Sequence, residues 1–175
     1  MIRRLLDMLY LAGGAVAALA ILSICLLVAA QVGLNILARV GGPAWSYTIP
    51  SYADFAGFFL AAASFMALAH TLRAGVHIRV NLLISRLSPR ATWVLEMLTL
   101  ALAAALSAYA TRYAIGLTYE SWDYGDMSSG IVAVPLWIPQ LFMDAGLALL
   151  TLAFLDTLIE SLRARRPVIA DAGEA

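Results

Sequence analysis

The segment from His70 to Arg90 reads HTLRAGVHIRVNLLISRLSPR and lies between two long apolar runs. It holds four of the eleven arginines of a chain that contains no lysine. In membrane proteins, short loops rich in arginine and lysine stay on the cytoplasmic side. The segment therefore indicates a cytoplasmic loop between two pairs of membrane spans.

The composition of the whole chain is that of an integral membrane protein. Of its 175 residues, 63% are hydrophobic and only 13% are charged, whereas soluble domains carry about 25% charged residues. The mean hydropathy of +0.88 agrees. The single cysteine, Cys25, lies in an apolar run and has no partner for an internal disulfide.

Four apolar runs are long enough to cross about 30 Å of hydrocarbon as helices. They cover about residues 9–37, 52–72, 93–117 and 134–162. None alternates polar and apolar residues as a membrane barrel strand does, so helices are the expected spanning structure. The predicted fold is an all-α integral membrane protein, in which residues 1–175 form a single four-helix membrane domain with a cytoplasmic tail at 163–175. Ala29-Ala30-Gln31 resembles a cleavage site, but the long first run favours a retained anchor.

The arginine-rich segment itself is expected to form a short amphipathic helix at about residues 77–88, between the second and third spans. Its apolar side chains share one helical face, which suits a helix lying in the membrane interface; they are Val80, Leu83, Ile84 and Leu87. The pair Ser88-Pro89 predicts the start of the third span, because proline is favoured in the first turn of a helix.

The positions of the arginines predict the orientation of the chain. Nine of them fall on one side, and only Arg39 and Arg112 fall on the other. Both termini are therefore expected in the cytoplasm, with loops 38–51 and 118–133 on the opposite side. The second of these loops carries three acidic residues among aromatic ones: Glu120, Asp123 and Asp126. They predict either a docking surface for a soluble partner or simply a solvated loop with interfacial anchors.

Sequence motifs for catalysis are missing. The chain contains no HExxH, Gly-x-Ser-x-Gly, Cys-x-x-Cys or phosphate-binding glycine loop. Its two histidines, His70 and His77, are too few for a haem held by two histidines between helices. We expect no enzymatic activity, no metal and no cofactor. A bound haem, as in the membrane anchor of a redox enzyme, would show in an absorbance spectrum.

Charged residues inside a span are costly unless they are paired or hydrated, and so they mark candidate functional positions. Asp144 lies deepest, one turn after Gln140, and Arg112 in the third span lies at a depth that would let the two pair. Asp144 is interpreted either as a cation or proton site of a transporter, or as a structural pair or contact to another subunit. Near the cytoplasmic end, Arg163 follows Glu160 by three residues and can pair with it.

Small residues four positions apart favour close packing of membrane helices. Examples are Gly13 with Ala17 and Gly57 with Ala61. The two halves of the chain show no repeat, and no span is broken by glycine and proline as in self-sufficient transporters. These features favour a helix-packing module over a pore.

Two stretches resemble a known family. Residues 72–83, LRAGVHIRVNLL, are similar to the R-x-G-x-H-I-x-V stretch of the small permease subunit (DctQ type) of tripartite ATP-independent periplasmic (TRAP) transporters. Ser129-Gly130 followed by VPLWIPQ at 134–140 resembles that family's start of the fourth span. The length, the four spans and the cytoplasmic termini also fit, so the resemblance covers nearly the whole chain.

The resemblance implies a location in the bacterial inner membrane and two protein partners. One is a large permease subunit that carries the substrate and sodium sites, and the other is a periplasmic substrate-binding protein. The lipid bilayer is the third expected partner, and no binding of nucleic acid is expected. By analogy, one group of residues shapes the cytoplasmic interface: Arg73, Gly75, His77 and Arg79. Another sets the outer end of the fourth span: Pro135, Trp137 and Gln140.

The expected function is that of a non-catalytic scaffold in sodium-coupled import of a carboxylate-type solute. In this role the chain packs against the large subunit and helps to dock the binding protein. The alternative is a small homo-oligomeric transporter that works alone and couples to an ion through Asp144.

Overall fold

The structure of the chain is a computed structural model that describes residues 2–74 and 88–164. It contains four long helices: α1 (Ile2–Gly41), α2 (Tyr52–Arg73), α3 (Pro89–Asp123) and α4 (Trp137–Ala164). All four are long and apolar enough to cross a membrane. Within the described ranges the only pairing of β type is an isolated bridge between Met127 and Pro135. The prediction of an all-helical fold with four spanning helices is confirmed.

The third span begins at Ser88-Pro89, as predicted. Ser88 is the N-cap of α3, its hydroxyl accepts a hydrogen bond from the backbone N–H of Ala91 at 3.4 Å, and Pro89 follows in the first turn. This arrangement satisfies one of the free N–H groups at the helix start. The interfacial helix is expected at about 77–88. Except for Ser88, these residues lie outside the described ranges.

The far end of α3 lies beyond the end predicted for the third span, because a glycine C-cap stops the helix only after Asp123. Gly125 adopts a φ of 67°, and the N–H of Asp126 donates to the carbonyl of Ser121 at 3.0 Å. This is the hydrogen bond of a Schellman motif, which favours glycine at the left-handed position. As a result, Glu120 belongs to the last turns of a helix and not to a loop.

The helices lie side by side in the order α1, α2, α4, α3. Extensive contacts join α1 to α2, α2 to α4, and α4 to α3, while α1 meets α4 in a smaller area. In the described ranges, α3 packs along α4 and has no comparable contact with α1 or α2. One side of α4 therefore faces α3 alone, at the edge of the molecule.

Small side chains allow the close approach of these helices. A Cβ atom added at Gly13 of α1 would lie 2.9 Å from the carbonyl oxygen of Met66 in α2, and Ala17 is also buried. The packing role predicted for this pair is confirmed. For Gly57 the same prediction is wrong, because nothing lies within 4 Å of a Cβ atom at that position.

Candidate functional site

Arg73, one of the residues assigned by resemblance, is the centre of a charged cluster at the end of the molecule where α1 begins and α4 ends. Its Nη1 atom lies 3.2 Å from Oε2 of Glu160 and 3.6 Å from Oδ2 of Asp156. The same atom donates to the hydroxyl of Thr157 at 3.1 Å. Because all three partners lie within one turn and a half of α4, Arg73 joins the last residue of α2 to the end of α4.

The cluster also includes the start of α1. Nη1 of Arg3 donates to Oε2 of Glu160 at 2.9 Å, so one carboxylate oxygen accepts from two guanidinium groups on different helices. We call Arg3, Arg73, Asp156 and Glu160 the basic-end cluster. The prediction that Glu160 pairs with Arg163 is wrong: within the described ranges its partners are the two arginines, which α1 and α2 bring to it.

Of the four residues assigned to the cytoplasmic interface, the structure describes Arg73. Gly75, His77 and Arg79 lie outside the described ranges. His70, one turn before Arg73, packs its ring against α1, since a Cβ atom at Gly14 would lie 3.0 Å from its Cγ. The described part of this interface therefore serves to hold helices together.

At the opposite end, the two connecting loops are bound to each other. The backbone N–H of Val132 donates to the hydroxyl of Ser51 at 2.9 Å, and Gly130 lies against the carboxylate of Asp54. The first loop is also fixed to α1, because the buried Oε1 of Gln31 accepts from the N–H of Ile49 at 2.8 Å. We call this end, which carries the three acidic residues named above, the acidic end.

The residues assigned to the outer end of the fourth span lie where α4 begins at this acidic end. Pro135 forms the isolated bridge with Met127, and α4 starts at Trp137. Gln140 follows one turn later; its Oε1 is buried and has no hydrogen-bond partner in the described part of the chain. The structure thus brings Pro135, Trp137 and Gln140 to one short stretch of the molecule.

The three acidic candidates for docking are all exposed at this end. Glu120 and Asp123 lie on the final turns of α3, and Asp126 lies just beyond the glycine cap. The described residues contain no group of three or more His, Cys, Asp or Glu side chains placed to hold a metal ion. Because they are exposed, the carboxylates of Glu120, Asp123 and Asp126 give this end of the molecule a negatively charged surface.

Asp144 lies in a groove between α3 and α4 and does not pair with Arg112. Thr111, the residue before Arg112, faces α4 with its hydroxyl 3.2 Å from that of Thr151. Since successive helical residues are turned by about 100°, Arg112 does not share the face of Thr111, and its side chain is exposed. Asp144 is buried, and its Oδ1 has no hydrogen-bond partner among the described residues.

Sequence reasoning missed Thr118, whose buried hydroxyl also lines this groove and has no partner in the described ranges. A signal was present, because Thr118 follows Thr111 by seven residues and Ala114 by four, so the three share one face of α3. Gln31 was missed as the anchor of the first loop. Its signal was a pair of amide side chains, Gln31 and Asn35, four residues apart in a mostly apolar run.

Comparison with known proteins gives the family. A family model described as "Tripartite ATP-independent periplasmic transporters, DctQ component" matches residues 24–164. No curated protein and no solved structure matches the chain. The matched region contains α2, α3, α4 and the second part of α1, which is well over half of the chain. The chain belongs to the DctQ family, the small permease component of TRAP transporters.

Proposed function

We propose that the chain is a non-catalytic scaffold subunit that packs against the large permease subunit of a TRAP transporter. In this role it supports sodium-coupled import of a carboxylate-type solute. The observation that carries the proposal is the family match over residues 24–164. Neither the sodium ion nor the solute needs a site on this chain, because both bind to other subunits in the proposed assembly.

The packing of the helices supports the role of a fixed frame. At one end, Glu160 accepts from Arg3 and Arg73 and so joins α1, α2 and α4. At the other end, the hydrogen bond from Val132 to Ser51 joins the two loops. These ion pairs and this hydrogen bond restrict sliding and rotation of the helices at both ends. A fixed frame beside a moving transport domain requires such restriction.

The distribution of charge supports a location in the bacterial inner membrane with both termini in the cytoplasm. The basic-end cluster and seven further arginines of the sequence belong to the side of the termini, in agreement with the positive-inside rule. The acidic end would then face the periplasm. There its exposed carboxylates (Glu120, Asp123 and Asp126) would guide the docking of a substrate-binding protein with a basic surface.

The proposal is tested by co-expressing the tagged chain with the large permease subunit and purifying both in a mild detergent. We expect a complex of constant ratio, and sodium-dependent uptake after the binding protein is added to liposomes that contain it. In a second arm, Glu120→Gln, Asp123→Asn and Asp126→Asn are combined. This variant should keep the complex but weaken docking of the binding protein, most strongly at low salt. Failure of the unaltered chain to recover the large subunit would contradict the proposal.

The second candidate function is a small transporter that works alone as a homo-oligomer. One observation favours it, namely the buried and unpaired Oδ1 of Asp144, which is available to an ion or a proton. It predicts solute uptake by liposomes that contain this chain alone, and loss of that uptake in Asp144→Asn. The scaffold proposal expects no uptake in the same liposomes.

A further inference from the structure

We propose that the groove between α3 and α4 seats an arginine or lysine side chain from a membrane-spanning helix of the large permease subunit. In this proposal Asp144 and Thr118 accept its hydrogen bonds. The inference rests on the proposed function and adds to it the surface that meets the partner and the chemistry of the partner residue.

The groove has two oxygen atoms with unused hydrogen-bonding capacity. It has a volume of about 530 Å³ and is lined by residues of α3 and α4 alone. Asp144 and Thr118 are each only 8% exposed, and Asp144 Oδ1 and Thr118 Oγ1 have no partner in the part of the chain that the structure describes. Buried polar atoms in native proteins nearly always have partners, so these two atoms indicate a contact that another molecule completes.

The groove favours a positively charged occupant. An unpaired carboxylate in an apolar surrounding is costly, and a cation within about 4 Å compensates for that cost. Arg112, the arginine predicted to supply that charge, is exposed and forms no ion pair with Asp144. The rest of the lining is apolar, with three aromatic side chains (Tyr119, Trp122 and Trp137) and four aliphatic ones (Ile115, Leu141, Ala145 and Ala148). Aromatic rings can also attract arginine and lysine, so the lining is compatible with the cation that the carboxylate favours.

The depth of Asp144 favours a side chain of a partner helix over a lipid head group. Asp144 follows Trp137, the first residue of α4, by seven residues, which is about 10 Å along the helix axis. A helix of 28 residues is about 42 Å long and extends about 6 Å beyond each side of a hydrocarbon core of about 30 Å. With the helix centred on that core, Asp144 lies about 4 Å inside the hydrocarbon layer, below the ammonium groups of lipids. A long side chain from a neighbouring membrane helix reaches this depth directly.

Subunit stability and complex formation together test the inference. Asp144→Asn and Asp144→Leu should each reduce recovery of the large subunit at least tenfold, because the partner cation would remain buried without its counter-charge. The thermal midpoint of the isolated subunit should stay the same or rise, since the Asp144 carboxylate has no partner among the residues that the structure describes. A role limited to internal packing would instead lower that midpoint and leave recovery of the complex unchanged, which would overturn the inference.

A matched pair of threonines provides the control. Thr118→Val removes the second acceptor of the groove and should reduce recovery several-fold. Thr99→Val, elsewhere on α3, removes an exposed hydroxyl that already donates to the carbonyl of Leu95 at 2.8 Å, and it should have no effect. Equal effects of the two variants would contradict a specific role of the groove.

The partner residue is identified by cross-linking. With p-benzoylphenylalanine in place of Ala145, which lines the groove and is exposed, we expect a cross-link to a membrane-spanning peptide of the large subunit that contains arginine or lysine. Exchanging the two charges, Asp144→Arg with the partner cation changed to aspartate, should restore recovery. Cross-links to lipid alone or to a second copy of this chain would overturn the inference. If the unaltered chain fails to recover the large subunit, the proposed function itself fails. If the unaltered chain and the Asp144 variants recover the large subunit equally well, the inference alone fails.

Discussion

At the scale of single residues, Arg73 carries the largest share of the polar contacts between helices at the basic end. Its side chain is 18% exposed, and that of its partner Asp156 is 15% exposed. Exposed ion pairs are worth about 0–1 kcal/mol, whereas the charges of this pair are largely removed from water. Removal of one partner is also more damaging, because the remaining charges stay partly buried without a counter-charge.

We therefore expect Arg73→Ala to destabilise the subunit by about 2 kcal/mol, since Asp156 and Glu160 would then lose their shared cation. The thermal midpoint in detergent, followed by tryptophan fluorescence, should fall by several degrees. Arg163→Ala is the matched control, because Arg163 is also an arginine at this end but is exposed and has no ion pair with the described residues. Equal midpoints for the two variants would contradict the structural role of Arg73.

At the scale of elements, the contact between α2 and α4 depends on the absence of a side chain at Gly146. A Cβ atom there would lie 2.5 Å from both the carbonyl carbon and the carbonyl oxygen of Phe65. Backbone atoms cannot move aside without shifting the whole helix, so any added atom separates the two helices. In membranes, such close contact supplies much of the energy of helix association through van der Waals packing.

Gly146→Ala is accordingly expected to destabilise the subunit by about 1–3 kcal/mol, the usual range for an overpacked site. Gly57→Ala is the control, since it adds the same methyl group to α2 where nothing lies within 4 Å. It should be neutral or stabilising by up to about 1 kcal/mol, because alanine has the higher helix propensity. The two thermal midpoints should therefore move in opposite directions or by clearly different amounts, and a similar fall in both would contradict the close contact.

At the scale of the whole molecule, the charges are separated between the two ends. The basic-end cluster ties three helices together at one end, and the exposed carboxylates of Glu120, Asp123 and Asp126 lie at the other. Both α1 and α3 exceed the length needed to cross the hydrocarbon core: at 40 and 35 residues they extend about 60 and 52 Å. Their ends therefore project into water or into the head-group region, where labelling reagents can reach them.

The proposed orientation is tested by labelling single cysteines in a Cys25→Ala background. Asp123→Cys should react with a membrane-impermeant maleimide in intact spheroplasts, because the acidic end is expected to face the periplasm. Arg163→Cys, at the end of α4, should react only after the membrane is permeabilised. Both positions are exposed, so a difference in labelling reports sidedness and not burial. The reverse pattern would invert the orientation.

The sequence by itself determined the number of spans, the charge difference between the ends and the start of the third span. These properties are local: hydropathy is summed along one stretch of chain, and the cap at Ser88 depends on a few neighbouring residues. The end of α3 at Asp123 was not predicted. The charge pattern also identified Asp144 as unusual, and the family resemblance assigned Arg73 to the cytoplasmic interface. Two short motifs were sufficient to suggest the family.

Only the tertiary structure decided the order of the helices, the partners of Arg73 and the absence of a partner for Asp144 within the described ranges. The physical reason is that lipid is as apolar as the interior of the protein, so the faces that pack and the faces that meet lipid have similar composition. In a soluble protein, the apolar stripe of a helix would indicate its buried face. Here the rotation of each helix follows from the fit of small residues such as Gly146 against a neighbouring backbone. That rotation turns Arg112 away from Asp144 and leaves the groove between α3 and α4 open.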